Sequence, residues 1–413
     1  MSKLDELIKK LCPDGVEYKK VKDVFIRIKG TPITATKMKE IETPDGEIRI
    51  FAGGKTVINA KEKDIPNANI TRVPAVLVQS RGVIDAVYYD KPFTFKNEMW
   101  AYTHENKLTV KFLYYVLKNN VHTFREAASG MGSLPQISLT VTEDFLIPVP
   151  PLPVQEEIVR ILDKFTTLTA ELTAELTARR KQYEYYRDSL LTRDTKVEVK
   201  KLGDFATITR GGNFQKKDFV ESGLPCIHYG QMYTHFGTWT DKTLTYVDKT
   251  VFDKSKQAQP NDIVMAVTSE NVDDICKCTA WVGKEPIAVS GHTAIIHHNQ
   301  NAKYLSYYFQ SSGFYKQKVK LAHGTKVIEV TPDKLNDITI PIPPLDVQQR
   351  IVDILDNFDS ICTDLKIGLP AEIEARKKQY EYYRDLLLTF ASSGNTILTE
   401  QNRTEQNRTE QNR

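Results

Sequence analysis

The chain lacks any run near the eighteen or so consecutive apolar residues that a membrane-spanning helix requires. Its first residues, "MSKLDELIKKLCPDG", alternate charge with Leu and Ile and have no apolar core of an export signal, which predicts a cytoplasmic protein. Cysteine is scarce and odd in number: Cys12, Cys226, Cys276, Cys278 and Cys362, predicted to be reduced. Cys276 and Cys278 form CxC, whereas a structural zinc site usually takes CxxC pairs. Although His292, His297 and His298 follow, the pattern predicts a strand with two small half-buried side chains and no metal. An excess of one charge is also missing. With 56 basic and 53 acidic residues the net charge is +3, so a nucleic-acid partner is allowed but not demanded, because a local basic face can sit inside a balanced total.

Catalytic signatures are missing too. A methyltransferase acting on base amino groups carries Asn/Asp-Pro-Pro-aromatic, but the Pro-Pro pairs here are followed by Leu152 and Leu345. "GGKT" at Gly53–Thr56 supplies the end of a phosphate-binding loop, yet Arg49 stands where its first glycine belongs. No G-x-S-x-G occurs. The acids Glu270, Asp273 and Asp274 have no recognisable motif around them and read as a solvated loop. These absences favour a binding protein with no active site of its own.

What the chain does have is a repeat. "KQYEYYRD" runs from Lys181 to Asp188 and again from Lys378 to Asp385 without a mismatch. Upstream, "IPVPPLPVQEEIVRILDKFTTL" from Ile147 matches "IPIPPLDVQQRIVDILDNFDSI" from Ile340 at 13 of 22 positions. "VEYKKVKDVFIRIKG" from Val16 resembles "VEVKKLGDFATITRG" from Val197, placing Gly30 opposite Gly211. "ASGMGSLPQISL" from Ala128 faintly echoes "AHGTKVIEV" from Ala322. The regions between, near 16–146 and 197–339, share edges and almost nothing in their middles. One scaffold carrying two different recognition surfaces is the arrangement this predicts.

Each repeated segment opens on P-x-P-P, an extended approach to a sharp helix start. Apolar residues then step by three and four, giving a narrow stripe: Ile158, Leu162, Phe165, Leu172, Leu176 and Tyr183 in one copy, Ile351, Leu355, Phe358 and Tyr380 in the other. A single long helix cannot bury such a stripe. The obvious partner is the second copy, paired antiparallel as a coiled coil with approximate twofold symmetry. The first copy carries a tandem tetrad, "LTAELTAELTA", from Leu168 to Ala178. The second is four residues longer across that interval and contains Gly368 and Pro370, which predicts a break near Gly368 and a fresh helix near Ala371. Tyr183 and Tyr380 are predicted core knobs. Tyr185, Tyr186, Tyr382 and Tyr383, beside Arg187 and Arg384, cannot all face one seam and offer an aromatic surface to a protein partner.

This layout and these motifs resemble the specificity subunit of type I restriction-modification systems, over nearly the whole length, and the TAEL tandem resembles one subgroup of it. The tail "TEQNRTEQNRTEQNR" from Thr399 departs from the family and reads as disordered. The resemblance implies a mixed α/β fold: target recognition domains at 1–146 (with a short N-terminal helix) and 197–339, helical spacers at 147–196 and 340–391, and a polar tail at 392–413. Each domain is then expected to read one half of an asymmetric bipartite site in double-stranded DNA. The helices, including Gln155 and Gln348, are expected to set the gap and dock two modification subunits. S-adenosylmethionine, ATP and Mg then belong to partner subunits, modification and ATP-dependent restriction subunits, and the chain itself is non-catalytic.

Base readout needs Arg, Lys, Asn, Gln, Ser or Thr on loops that reach groove edges. Three loops per domain fit. In the first these carry Lys29, Thr31, Lys37 and Lys39; then Gln79, Ser80 and Arg81; then Ser129, Ser133 and Gln136. In the second they carry Arg210, Asn213, Gln215, Lys216 and Lys217; then His228, Tyr229 and Gln231; then His323, Thr325 and Lys326. Arg81, Arg210 and Gln231 are the favoured base readers. A scaffold that presents two surfaces to proteins explains the helices equally well, and a nuclease or methyltransferase with an unrecognised site is the other rival.

Overall fold

The computed structural model describes residues 3–54, 56–129, 134–192, 197–363 and 367–393. The chain divides into two compact units, one from residues 1–171 with 374–413, the other from residues 172–373. Each unit joins a mixed α/β domain to lengths of the long helices.

In the first unit, Ala75–Gln79 carries four apolar residues followed by Gln79 and is buried at every position. It is an inner strand of a four-stranded antiparallel sheet ordered Ile26–Lys29, Trp100–Thr103, Ala75–Gln79, Asp85–Tyr89. A three-stranded sheet is ordered Val57–Ala60, Ile48–Phe51, Phe93–Phe95, its last pair parallel. The second unit repeats this plan with additions. Ala206–Arg210, Thr293–His298, Ile263–Ala266 and Cys278–Trp281 follow the same antiparallel order, extended by Trp239–Thr240. Thr245–Val247, Leu224–Ile227 and Ile287–Val289 match the smaller sheet, including its parallel pair. Two regions almost without common sequence therefore share one topology.

The matching segments at the edges of the variable regions pair with each other. Tyr18–Lys20 forms an antiparallel ribbon with Leu146–Pro148, and Val199–Lys201 with Thr339–Pro341. Each ribbon leads through the prolines into a helix. There a buried glutamine folds back: Gln155 Nε2 donates to the Pro150 carbonyl and Gln348 Nε2 to the Pro343 carbonyl, both at 2.8 Å.

A second clamp recurs. Asn106 caps the helix Lys107–Asn119 and Asn301 caps Ala302–Tyr308. From the first, Lys111 Nζ and the Tyr115 hydroxyl hold Asp163 at 2.7 and 2.6 Å. From the second, Lys303 Nζ and the Tyr307 hydroxyl hold Asp356 at 2.8 and 2.6 Å. A spacing of four places each Lys and Tyr on one helix face. Burial, then the carboxylate, pushes both phenols far above their ordinary range.

The central helix, Leu152–Thr192, runs unbroken for 41 residues, about 60 Å at ~1.5 Å per residue. The distal copy is two helices, Leu345–Thr363 and Leu369–Ser393. Pro370 lies in the first turn of the latter, where its missing N–H costs nothing. In the first unit Ile158 and Leu162 share a core with Leu387 and Leu388, and the Phe165 ring stacks on Tyr383 at 5.5 Å. In the second, Leu191 shares a core with Ile351 and Leu355, and Tyr186 stacks on Phe358, also at 5.5 Å. Moving back from Tyr186 to Arg180 moves forward from Phe358 to Cys362, so these helices run antiparallel.

His298, at the end of a core strand, is buried; its Nδ1 accepts from the Gln300 N–H at 3.2 Å and its Nε2 has no partner. Burial, with His297 adding to it, lowers its pKa from 6.5 to about 4. The folded state therefore favours the neutral ring. Its contribution to stability is complete above 6.5 and is lost as pH falls toward 4. A His298→Gln variant is expected to melt with a flatter pH dependence in that window; slopes identical to wild type would contradict this.

Candidate nucleic-acid interface

In the first domain three loops meet. The turn after Ile26–Lys29 lies against Phe93–Phe95: Thr31 N donates to the Phe95 carbonyl at 2.7 Å, and Thr31 bridges Lys96. Gly30 is required there, because a Cβ would overlap the Phe95 carbonyl oxygen and lie 2.8 Å from its ring. Arg81 and Ser129 both bridge Gln136. Ile137 N donates to the Ser80 carbonyl, Gly82 N to Pro135, and Gly54 N to Arg81. A cleft of about 930 Å³ opens beside them, lined by Met38, Lys39, Arg81, Lys96, Glu98 and Leu134 among others.

Lys29, Lys39, Arg81 and Gln136 are exposed at these loops. Thr31, Gln79 and Ser80 are buried, with the Thr31 hydroxyl against Thr94 at 2.7 Å and the Ser80 hydroxyl on the Glu98 carbonyl. These three frame the loops and have no surface to offer a groove. Lys37 pairs with Glu40 at 3.1 Å. Ser133 lies outside the described residues.

The second domain builds the same meeting point with other side chains. Gly211 N donates to the Thr293 carbonyl and Gly212 N to Val289, while Tyr229 N donates to Ser290 Oγ at 2.8 Å. His228, Tyr229 and His292 form a ladder of rings, centroids 4.6 and 4.8 Å apart. Asn213, Gln215, Lys216, Lys217, His292, His323, Thr325 and Lys326 are exposed, and Tyr229 half-buried. The hairpin carrying Thr325 and Lys326 is closed by a bridge from His323 to Glu329, the counterpart of the Ser129–Gln136 bridge.

Two of the favoured readers have intramolecular work. Gln231 Oε1 accepts from the His228 N–H at 2.9 Å and its Nε2 donates to Thr245, so it caps its own turn. Arg210 donates to the Gly291 carbonyl at 3.1 Å and pairs with Glu329 at 3.0 Å, its side chain half exposed. His228 is buried. Burial, then Lys216 and His292, lowers its pKa and keeps the ring neutral near pH 7. His292, read from the sequence only as a metal candidate, is brought by the fold into this candidate loop cluster. Its signal was the preceding Gly291, whose tight backbone approach to Gly212 brings the two loops together.

Cys276 is not on a strand. It occupies a turn at φ 64°, and both it and Cys278 are buried where half-burial was expected. Burial pushes both thiols up to about 12. Among the described residues no three His, Cys, Asp or Glu side chains group to hold a metal, and no helix is long and apolar enough to cross a membrane.

On the helices, Gln155, Ile158, Leu162, Gln348, Ile351 and Leu355 are buried in the packing, and Leu172 and Leu176 are half-buried. Tyr185, Tyr186 and Tyr382 face solvent at 55%, 40% and 48% exposure, which makes them the outward aromatic set. Arg187 and Arg384 each lie over the tyrosine four residues before them, Tyr183 and Tyr380, at 5.6 Å.

A profile described as the type I restriction modification DNA specificity domain matches residues 13–179 and 195–375. The chain is 38% identical over 302 residues to the specificity subunit of a type I restriction enzyme of Escherichia coli, covering 69% of this chain and 72% of that protein. It is 33% identical over 314 residues to a putative type I restriction enzyme specificity subunit of Haemophilus influenzae, covering 71% and 77%. In fold it is similar to the crystal structure of a type I restriction-modification S subunit from M. genitalium, with TM-score 0.54, 16% identity and coverage of 92% and 96%.

Proposed function

The chain belongs to the type I restriction-modification DNA specificity family, and on that premise we propose that each of its two α/β domains reads one half of an asymmetric bipartite site in double-stranded DNA. The helices set the gap between the halves and dock two modification subunits, which carry the S-adenosylmethionine chemistry on adenine. Restriction subunits, with ATP and Mg, join them for cleavage. The chain is the reader of this assembly and performs none of its chemistry.

One observation carries the reading. A constant frame of ribbon, glutamine fold-back and Lys–Tyr–Asp clamp recurs in both units, while the loop cluster on it is furnished differently each time. The first cluster offers Lys29, Lys39, Arg81 and Gln136; the second offers Asn213, Lys216, His292 and Lys326. Cations and amides at loop tips are what groove edges and phosphates accept.

The test is to reconstitute the chain with its modification subunits, map the methylated adenines, and measure duplex binding against salt. A two-part site and steeply salt-dependent affinity are expected. Arg81→Ala is expected to relax selection at one position of one half, a cost of ~1–3 kcal/mol, and Lys39→Ala to weaken all duplexes evenly. An assembly that binds its subunits but no duplex would make the chain a protein scaffold.

A further inference from the structure

Lys318 is a buried lysine, 7% exposed, on the helix Ser312–Leu321. Its ammonium donates to two backbone carbonyls, Asp273 at 2.7 Å and Ile275 at 2.9 Å. One turn away on the same helix, the Tyr315 hydroxyl donates to Asp273 Oδ1 at 2.8 Å. Both groups grip one loop, residues 269–276, which ends in the left-handed Cys276.

The other end of that loop supports the interface. Thr268 Oγ1 is 3.2 Å from His292 Nδ1, and Val267 N donates to the His292 carbonyl. Thr268–Ser269 pairs with Ile328–Glu329, and Glu329 holds Arg210. The first domain has a single-bond analogue from an exposed residue. Arg125, on the helix Val121–Glu126, donates through Nε to the Ile84 carbonyl at 3.2 Å, closing the loop that carries Arg81.

We propose that Lys318 and Arg125 are positioning residues, each fixing from behind the loop that orders one domain's base-reading side chains. The functional part rests on the DNA-reading assignment above; the brace itself does not. The Lys318 ammonium also lies over the Tyr315 ring at 5.2 Å and feels the nearby Asp273 and Asp274 carboxylates, but its hydrogen bonds go to the loop backbone. Burying an ammonium is costly, and a fold keeps it where the held backbone must not move.

Two readouts separate the parts, both on the full chain in complex with its modification subunits. The first is thiol labelling followed by mass spectrometry. Cys276 is 2% exposed, and Lys318→Met is expected to speed its modification about tenfold or more, with Cys12 and Cys226 unchanged and Lys318→Arg close to wild type. The second is discrimination between the mapped cognate duplex and duplexes altered in either half. Lys318→Met is expected to lose roughly tenfold in one half only, and Arg125→Met in the other half only. Tyr315→Phe, a milder change, moves both readouts in the direction of Lys318→Met.

Unchanged labelling in Lys318→Met overturns the brace. Fast labelling with intact discrimination overturns the positioning role, as does an equal loss in both halves or on every duplex. A wild-type complex that discriminates no duplex removes the DNA reading and the positioning role with it, while the labelling result still stands on its own.

Discussion

Deleting one Thr-Ala-Glu-Leu unit, residues 169–172, from the central helix is expected to change which genomic sites are methylated while leaving both half-sites as they were. Four residues are about 6 Å of helix and a net rotation of about 40°. Six ångströms lies between one and two base-pair steps of 3.4 Å. Leu168, Leu172 and Leu176 are half-buried at a spacing of four, so the deletion puts a leucine back at each remaining covered position. The stacks that anchor the helices, Phe165 on Tyr383 and Tyr186 on Phe358, lie to either side of the deleted unit and keep their residues. The distal partner is already interrupted between Thr363 and Leu369. Methylation mapping reads the outcome directly. New sites with the original halves and a shorter gap are expected; an altered half-site with an unchanged gap would sink the spacer role. Because a duplex presents bases at fixed intervals, the effect is a switch in site identity, with the original sites no longer modified.

The frame was legible in the sequence because it is the part that recurs. The prolines, the glutamine after them and the "ILD" triplet stand out as identities, and they prove to be the fold-back and the carboxylate of the clamp. The break before Leu369 followed from the backbone chemistry of Gly368 and Pro370. The shared sheet topology was not legible, since the strands of the two domains keep only their apolar character and any Val, Ile or Ala serves a buried position. The candidate interface was legible as loops but not as side chains. Thr31, Ser80 and Gln231 have the right chemistry for a groove, and nothing local in the sequence tells that their polar atoms are committed to Thr94, Glu98 and His228. His292 was hidden for the converse reason. Its place in the candidate cluster depends on a contact with Tyr229, 63 residues earlier in the chain.

Gly211→Val is expected to be among the most damaging single substitutions in the chain. A Cβ there would overlap the Ser290 carbonyl oxygen and lie 2.7 Å from Thr293 Oγ1. Neither neighbour can retreat cheaply. The Thr293 hydroxyl donates to that same carbonyl, Gly211 N donates to the Thr293 carbonyl at 2.9 Å, and Gly212 N to Val289 at 2.7 Å. Making room breaks buried backbone hydrogen bonds and parts the loops that carry Arg210, Asn213 and His292. A branched side chain forced against a buried backbone costs on the order of 3 kcal/mol or more, a large fraction of the ~5–15 kcal/mol that holds a domain together. Gly237→Ala is the control, because its added Cβ meets nothing within 4 Å. Denaturation and limited proteolysis of the assembled complex should show Gly211→Val lowering stability within residues 172–373 while Gly237→Ala follows wild type. Selection for one half-site should disappear with it, and residual affinity should come from the domain that was not touched. Equal stability of the two variants would mean that the glycine echoed between Gly30 and Gly211 is not a packing requirement, and that the common frame is looser than its contacts indicate.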